Sequence, residues 1–397
     1  MERIHKSVTL TTAGIAAPVA RYAGRLHALA GPRHHVASPL GAWLLLALCA
    51  PASEATILNG LLGGDPADAA RLAAGLLARP DPVVPAAAAV WHRPGLSDVA
   101  ARWLAGLPPS VTTGPLTSQA ELDGWARRGT LGLIERFPVA LDPSLYLLAA
   151  TVLAARVSWE RPFDLAPASA LGPSSPWAGT LSRVLRTPDG PGHQQLVAPA
   201  PAVGDVAVHV ARARDGLAVV SVAAEPGVPA GDVLAAAYDL APALATGRGA
   251  DRRSLFDLPL GEGPLWSVTE RSGPVRSADG REERCTAVLP AWSASSEHDL
   301  SDPGLGFAAA AQALAPGDPW QARQAAMARY TRVGFEAAAV TGLAVAMAMR
   351  VPRPGLIRTA ELRFGHPFAV VAVVTGDGPW QGLPVFSAWV ARPEDAE

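Results

Sequence analysis

The sequence predicts an interwoven α+β or α/β body, not a regular alternation of strands and helices. Helical periodicity dominates the first third of the chain, while Val- and Ala-rich strand-like runs dominate the last two thirds. The length, 397 residues with 49% hydrophobic and 17% charged, supplies ample apolar material for a large core. Length alone is compatible with two or three domains.

In chain order, residues 15–30 and 39–50 read as helices. Residues 66–78 (PADAARLAAGLLA) form an amphipathic pattern with Asp65 placed to cap it. The stretch from Thr117 carries a capping-like signal, Thr117 followed by Glu121, one residue longer than the strict box. Run 145–157 is apolar enough for a buried strand or a helix, and periodicity does not separate the two. Residues 164–204 are rich in Pro, Ser and Gly and read as loop with short elements. Segments 205–223 and 284–296 read as strands, and so do 361–374 and 383–392 around the loop TGDGPWQG.

Net charge is −2, so no basic excess directs the chain to nucleic acid or anionic lipid. Lys6 is the sole lysine, and heavy use of Ala, Gly, Pro and Arg reads as a GC-rich bacterial coding bias. The longest apolar runs reach about 13 residues, short of the roughly 18 that span a bilayer. With no continuous apolar leader near the N-terminus, the expected location is cytoplasmic. Cys49 ends an apolar run and reads as a small buried hydrophobe; its pairing with Cys285 is not indicated.

Conventional catalytic signatures are absent: no GxSxG, no P-loop, no GxGxxG with a following acid, no HExxH. His34 and His35 are adjacent and diverge on either a strand or a helix, so no metal site is expected there. Glu297, His298 and Asp299 cannot converge on one substrate atom, and a solvated turn is expected instead. No cofactor is expected. One segment stands out: 331–350, TRVGFEAAAVTGLAVAMAMR, followed by the Pro- and Arg-rich stretch 351–358.

Several separated stretches resemble the serpin family, in the family's order. Val36-Ala37-Ser38-Pro39-Leu40 before an apolar helix is similar to the segment ahead of the family's second helix. LDGWARRGTLGLIERF (122–137) is similar to a later helix region, with Trp125, Thr130, Gly132 and Ile134 at matching positions. The most specific match is Trp159-Glu160-Arg161-Pro162-Phe163, within 150–165. Residues 288–306, 328–342, Phe364-Gly365-His366-Pro367-Phe368 and 383–393 continue the resemblance to the C-terminus.

The resemblance implies one domain over 1–397, a multi-layer α+β fold with three β-sheets and about nine α-helices, and an exposed reactive loop near 332–358. It also implies a partner, a serine protease, that cuts the loop; the cut loop then inserts into the central sheet as a new strand. Its hinge maps to Gly334, Phe335, Glu336, Ala337, Ala338 and Ala339. Counting from that hinge puts the cut at Ala348, with Met347, Met349 and Arg350 as neighbouring candidates. Strand alternation places Phe335, Ala337, Ala339, Thr341, Leu343 and Val345 on one face, all small or apolar as burial requires.

Departures from the family pattern bear on whether insertion is fast. Phe335 stands where a hydroxyl residue is usual, and overpacking by its ring is expected to cost about 1–3 kcal/mol. Gly41, Thr151 and Gln324 stand where polar partners beneath the sheet opening are usual, and Arg332 replaces a Glu. The alternative reading is a non-inhibitory scaffold that binds a small molecule or partner, or that has acquired a catalytic pocket. Eleven tryptophans motivate it; Trp159 and Trp292 are expected in the core, whereas Trp320, Trp380 and Trp389 are less easily assigned.

Overall fold

The structure, a computed structural model, describes residues 12–130, 132, 134–137, 140–335 and 353–397. The described residues form eight α-helices: α1 (Ala16–Ala30), α2 (Pro39–Cys49), α3 (Ile57–Leu62), α4 (Pro66–Ala78), α5 (Asp98–Ala105), α6 (Gln119–Gly129), α7 (Ala230–Ala245) and α8 (Phe307–Leu314). The strands before α7 are β1 (His35–Ala37), β2 (Ala86–His92), β3 (Val111–Pro115), β4 (Leu147–Leu153), β5 (Val157–Ser158), β6 (Asp164–Pro167), β7 (Arg183–Arg186), β8 (His193–Ala200), β9 (Gly204–Arg212) and β10 (Leu217–Ala223). Those after it are β11 (Gly261–Glu262), β12 (Trp266–Val275), β13 (Arg281–Leu289), β14 (Trp292–Asp299), β15 (Trp320–Gln321), β16 (Arg323–Tyr330), β17 (Gly334–Phe335), β18 (Arg353–Arg363), β19 (Phe368–Val374) and β20 (Pro384–Val390).

Local chemistry sets the helix starts. Ser38 caps α2, its hydroxyl accepting from Gly41 N–H, and Pro39 opens the helix where a missing N–H costs nothing. Every residue of α2 is buried, so it runs through the core with no solvent face. Asp65 caps α4 as expected, accepting from Ala67 N–H at 2.7 Å. At α6 the cap is Ser118, not Thr117: the Ser118 hydroxyl accepts from Glu121 N–H, and the helix stops at Gly129. The apolar run from 145 resolves as strand.

The first sheet runs β1-β20-β19-β10-β9-β8. Strands β10, β19 and β20 are buried at every residue, which explains their unbroken Val and Ala content. Helix α7 packs on one face of this sheet and α2 contributes to the core on the other. The second sheet runs β11-β12-β18-β13-β7-β6 and carries β18 between two partners: β12 antiparallel from Trp266↔Leu362 to Val275↔Arg353, and β13 parallel from Arg281↔Leu356 to Val288↔Arg363.

Two four-stranded sheets remain, β14-β16-β17-β5 and β15-β4-β2-β3. The expected count was three sheets, and the fourth has a physical origin. Segments 147–158 and 320–330 each give a strand to both of these sheets, and β16 lies beside β4. They are two parts of one layer, divided along the line between β16 and β4. The expected nine helices compare with the eight found among the described residues. The Glu297–Asp299 cluster, expected in a turn, lies on strand β14, with His298 buried and its two acidic neighbours exposed on the other face.

Candidate functional site

The dividing line is the candidate site. On one side β16 pairs with β14 along its whole length, from Trp292↔Tyr330 to Asp299↔Arg323. On its other edge, among the described residues, it pairs only at Tyr330, with Phe335. Across the line β4 pairs along its whole length with β2, and on its far edge only Leu147 and Leu148 are paired, in parallel, with Trp320 and Gln321. Two strand edges therefore face each other with most of their backbone groups unpaired to one another. Such edges are a template for one more strand.

At the upper end β17 lies between β16 and β5. β17 holds Gly334↔Ser158 and Phe335↔Val157 on one side and Phe335↔Tyr330 on the other. A tight turn connects β16 to β17: Thr331 N–H donates to Gly334 C=O at 3.0 Å, and the Thr331 hydroxyl donates to the same oxygen at 3.0 Å. Trp159 fixes the turn from outside, its indole N–H donating to Thr331 C=O at 3.0 Å and its backbone N–H to Val333 C=O at 3.1 Å. Arg332 Nε donates to Phe163 C=O at 3.0 Å, and Phe163 N–H returns a bond to Arg332 C=O at 2.9 Å. The Trp159–Phe163 segment thus clasps the turn between β16 and β17, and Arg332 serves as one of its anchors.

Phe335 is 3% exposed, and Trp159, Tyr330 and Phe163 are fully buried around the turn. Its ring meets Trp292 edge-on, centroids 6.3 Å apart, and Trp292 stacks on Tyr330 at 6.0 Å. In this structure the ring is seated among aromatic side chains. Burial drives the Tyr330 phenol well above its ordinary value of 10.0, so it stays neutral.

Lower down, three residues singled out in the sequence come together. Thr151 Oγ1 donates to Gly41 C=O at 2.8 Å. A Cβ on Gly41 would lie 3.0 Å from Leu153 Cδ1, 3.1 Å from Ser38 Oγ and 3.6 Å from Gln324 Nε2. Gln324, 7% exposed, bonds Ser38 twice, accepting from its N–H at 2.9 Å and donating to its C=O at 2.8 Å. Ser38 Oγ donates onward to Val385 C=O at 2.8 Å. Polar contact beneath the opening is rebuilt from Ser38 and Gln324, tying β16 to the start of α2.

Two buried histidine groups flank this region. His193 Nδ1 lies 3.1 Å from His209 Nε2, and the rings stack at 5.3 Å against Phe163. His27 Nδ1 lies 2.6 Å from His35 Nε2, and His27 Nε2 bonds Ser387 Oγ at 2.7 Å. Burial, then His35 and His298, push His27 down to about 3. Burial is also the main cause that takes His35 and His193 to about 4 and His209 well below 6.5. His34 caps the chain instead, with Nδ1 accepting from Ala391 N–H at 3.1 Å. Among the described residues no three His, Cys, Asp or Glu side chains could hold a metal ion. Cys49 and Cys285 are both free thiols. Trp380 and Trp389 are buried in the core. Of the hinge candidates, Gly334 and Phe335 are described; Glu336, Ala337, Ala338, Ala339, Met347, Ala348, Met349 and Arg350 lie outside the described residues.

No family model matches the chain, and no curated protein matches it by sequence. Solved structures do match by shape. The thermophilic serpin tengpin in its native state has a TM-score of 0.63 at 12% identity, over 95% of this chain and 94% of its own. Human glycosylated kallistatin gives 0.62 at 14% identity, over 96% and 99%. The chain has the serpin fold. Thyroxine-binding globulin in complex with thyroxine matches as well, with a TM-score of 0.61 at 12% identity, over 96% and 100%. The serpin fold is thus found in a ligand carrier too. No helix among the described residues is long and apolar enough to cross a membrane.

Proposed function

We propose that the chain is a serpin-type inhibitor of a serine protease, acting as one domain over 1–397 in a bacterial cytoplasm. The observation that carries this reading is the pair of facing edges on β16 and β4, with Gly334 and Phe335 paired between β16 and β5 beside them. A protease serine attacks a loop carbonyl near Ala348, Met347, Met349 or Arg350. The amine leaves with a proton, and the loop's N-terminal half remains as an acyl ester on the serine. Water would hydrolyse that ester to a carboxylate and restore the serine. Insertion of the cut segment between β16 and β4 competes with this by carrying the protease away from the site of cleavage. About ten new ladder hydrogen bonds at roughly 0.5–1.5 kcal/mol each contribute about 5–15 kcal/mol.

Incubation with trypsin, elastase and subtilisin at several ratios, read on denaturing gels, tests this. A covalent band of the summed mass supports inhibition; cleavage near 347–350 with no such band at any ratio counts against it. A second reading, a scaffold for a small ligand, draws on a cleft of about 700 Å³ between α1 and β14, lined by Arg33, His34, His298 and Asp302 among others.

A further inference from the structure

We infer that the cleft between α1 and β14 binds a small 2-hydroxycarboxylate with an apolar tail, its carboxylate held by Arg33 and Arg392 and its hydroxyl by His298 Nδ1. This deepens the second reading above and does not depend on the fate of the loop. At about 700 Å³ the cleft is of ligand size.

Hydrogen bonding fixes which atom each histidine offers. His298 Nε2 lies 2.7 Å from Val36 C=O. A carbonyl oxygen only accepts, so in the neutral ring Nε2 carries the proton and Nδ1 a lone pair. His298 is 8% exposed and lines the cleft, and its Nδ1 has no partner among the described residues. The donor it lacks has to come from whatever fills the cleft. His35 also lines the cleft but has nothing left to offer: Nδ1 donates to Arg33 C=O at 2.7 Å, and Nε2 accepts from His27 Nδ1 at 2.6 Å. His34 is likewise engaged, with Nε2 donating to Ser293 C=O at 2.7 Å and Nδ1 accepting from Arg392 N–H at 3.3 Å. That last bond sets Arg392 beside the stretch that carries Arg33.

The two arginines supply the cationic end. Neither guanidinium has a carboxylate partner among the described residues. Arg33 commits only Nε, to Ala30 C=O at 3.1 Å, which leaves its terminal nitrogens for a ligand carboxylate. The acids nearby are engaged or turned aside. Asp302 accepts from Gly304 N–H at 2.7 Å and Asp299 from Ser301 N–H at 3.0 Å, while Glu297 and Asp299 project from the other face of β14 to His298. Burial first, and then the charge of Arg33, hold His298 below its ordinary value of 6.5, so the ring is neutral near pH 7. A cation beside Nδ1 favours a neutral hydroxyl over an ammonium as its donor, and a carboxylate next to that hydroxyl. Leu26, Leu29 and Ala30 form the apolar wall, and Leu29, 46% exposed, offers the tail a surface to cover.

Isothermal titration of the full-length protein with phenyllactate, 3-phenylpropionate, phenylalanine and phenyllactamide tests the site. The four share a benzyl tail and differ in hydroxyl, ammonium and charge. Phenyllactate binds with a dissociation constant of about 1 mM or tighter. Each of the other three binds about tenfold more weakly, as expected for one lost hydrogen bond or ion pair. Arg33→Gln and Leu29→Glu, both at exposed positions, weaken phenyllactate about tenfold or more without changing the melting temperature of the free protein. Arg71→Gln, on another surface, leaves binding unchanged. Equal affinity for phenyllactate and 3-phenylpropionate overturns the inference, as does phenyllactate binding that Arg33→Gln leaves intact, or no saturable binding up to about 10 mM. Tighter binding of phenylalanine or phenyllactamide, abolished by Leu29→Glu, overturns the hydroxy-acid class and leaves the cleft a ligand site. If a screen of neutral, cationic and anionic compounds slows no amide exchange across 26–35 and 296–302, the small-ligand reading falls as well.

Discussion

Acid should unfold this protein earlier than its carboxylates alone would. His27 and His35 share one hydrogen bond of 2.6 Å between ring nitrogens, and His193 and His209 share another of 3.1 Å. Each bond needs one nitrogen that donates and one that accepts, so a second proton turns it into two N–H groups face to face. Folded-state values lie below the unfolded 6.5: about 4 for His35, lowered mainly by burial and then by His298, His34 and Arg33, and about 4 for His193, lowered by burial and then Arg161. The stability that neutral rings supply is therefore complete above about pH 6.5 and is lost as pH falls toward 4. For one ring shifted from 6.5 to about 4, the loss at pH 5 is about 2 kcal/mol. Taking one such ring per pair gives roughly 4 kcal/mol, a fall of roughly 5 °C in melting temperature for a chain of this size. Calorimetry between about pH 7.5 and pH 5 checks it. The variant His209→Phe, which places a neutral ring between Phe163 and Phe364, should flatten the slope. A melting temperature that stays level over that range would refute the reasoning.

Other variants probe the site's supports. Gln324→Leu leaves the buried Ser38 N–H unpaired and its C=O with only the bond from Ala42 N–H, and should cost about 1–3 kcal/mol in denaturant unfolding. Arg358→Lys should cost about 1–3 kcal/mol and speed exchange over 353–359. The guanidinium bonds Glu270 and the carbonyls of Leu255 and Leu258 while lying 4.8 Å over the Phe256 ring, a set that an ammonium cannot reproduce.

Much of the fold was legible where local chemistry and burial agree. Asp65 before an amphipathic run marks α4, and Ser38-Pro39 before a wholly apolar run marks α2. Strand β12 was missed because its middle, Thr269 to Ser272, is exposed and polar and is held by backbone pairing to β18, which leaves no apolar alternation to read. Strand β14 was missed at Glu297–Asp299 because its inward residue is a histidine, whose ring bonds Val36 C=O instead of packing as a hydrocarbon. At the site, partners distant in sequence were not legible. Gln324 read as a lost partner, yet its partner is Ser38, 286 positions away. The aromatic lining of Phe335, from Trp292 and Tyr330, was not legible because the sequence does not place those strands beside it.

Insertion itself is the central claim, and the melting temperature of loop-cleaved against intact protein tests it most directly. Cleavage within 336–352 followed by insertion adds about 5–15 kcal/mol, so the cleaved form should melt roughly 6–18 °C higher than the intact form. Equal or lower melting after complete cleavage would contradict the account, because it would mean that the edges of β16 and β4 received no strand.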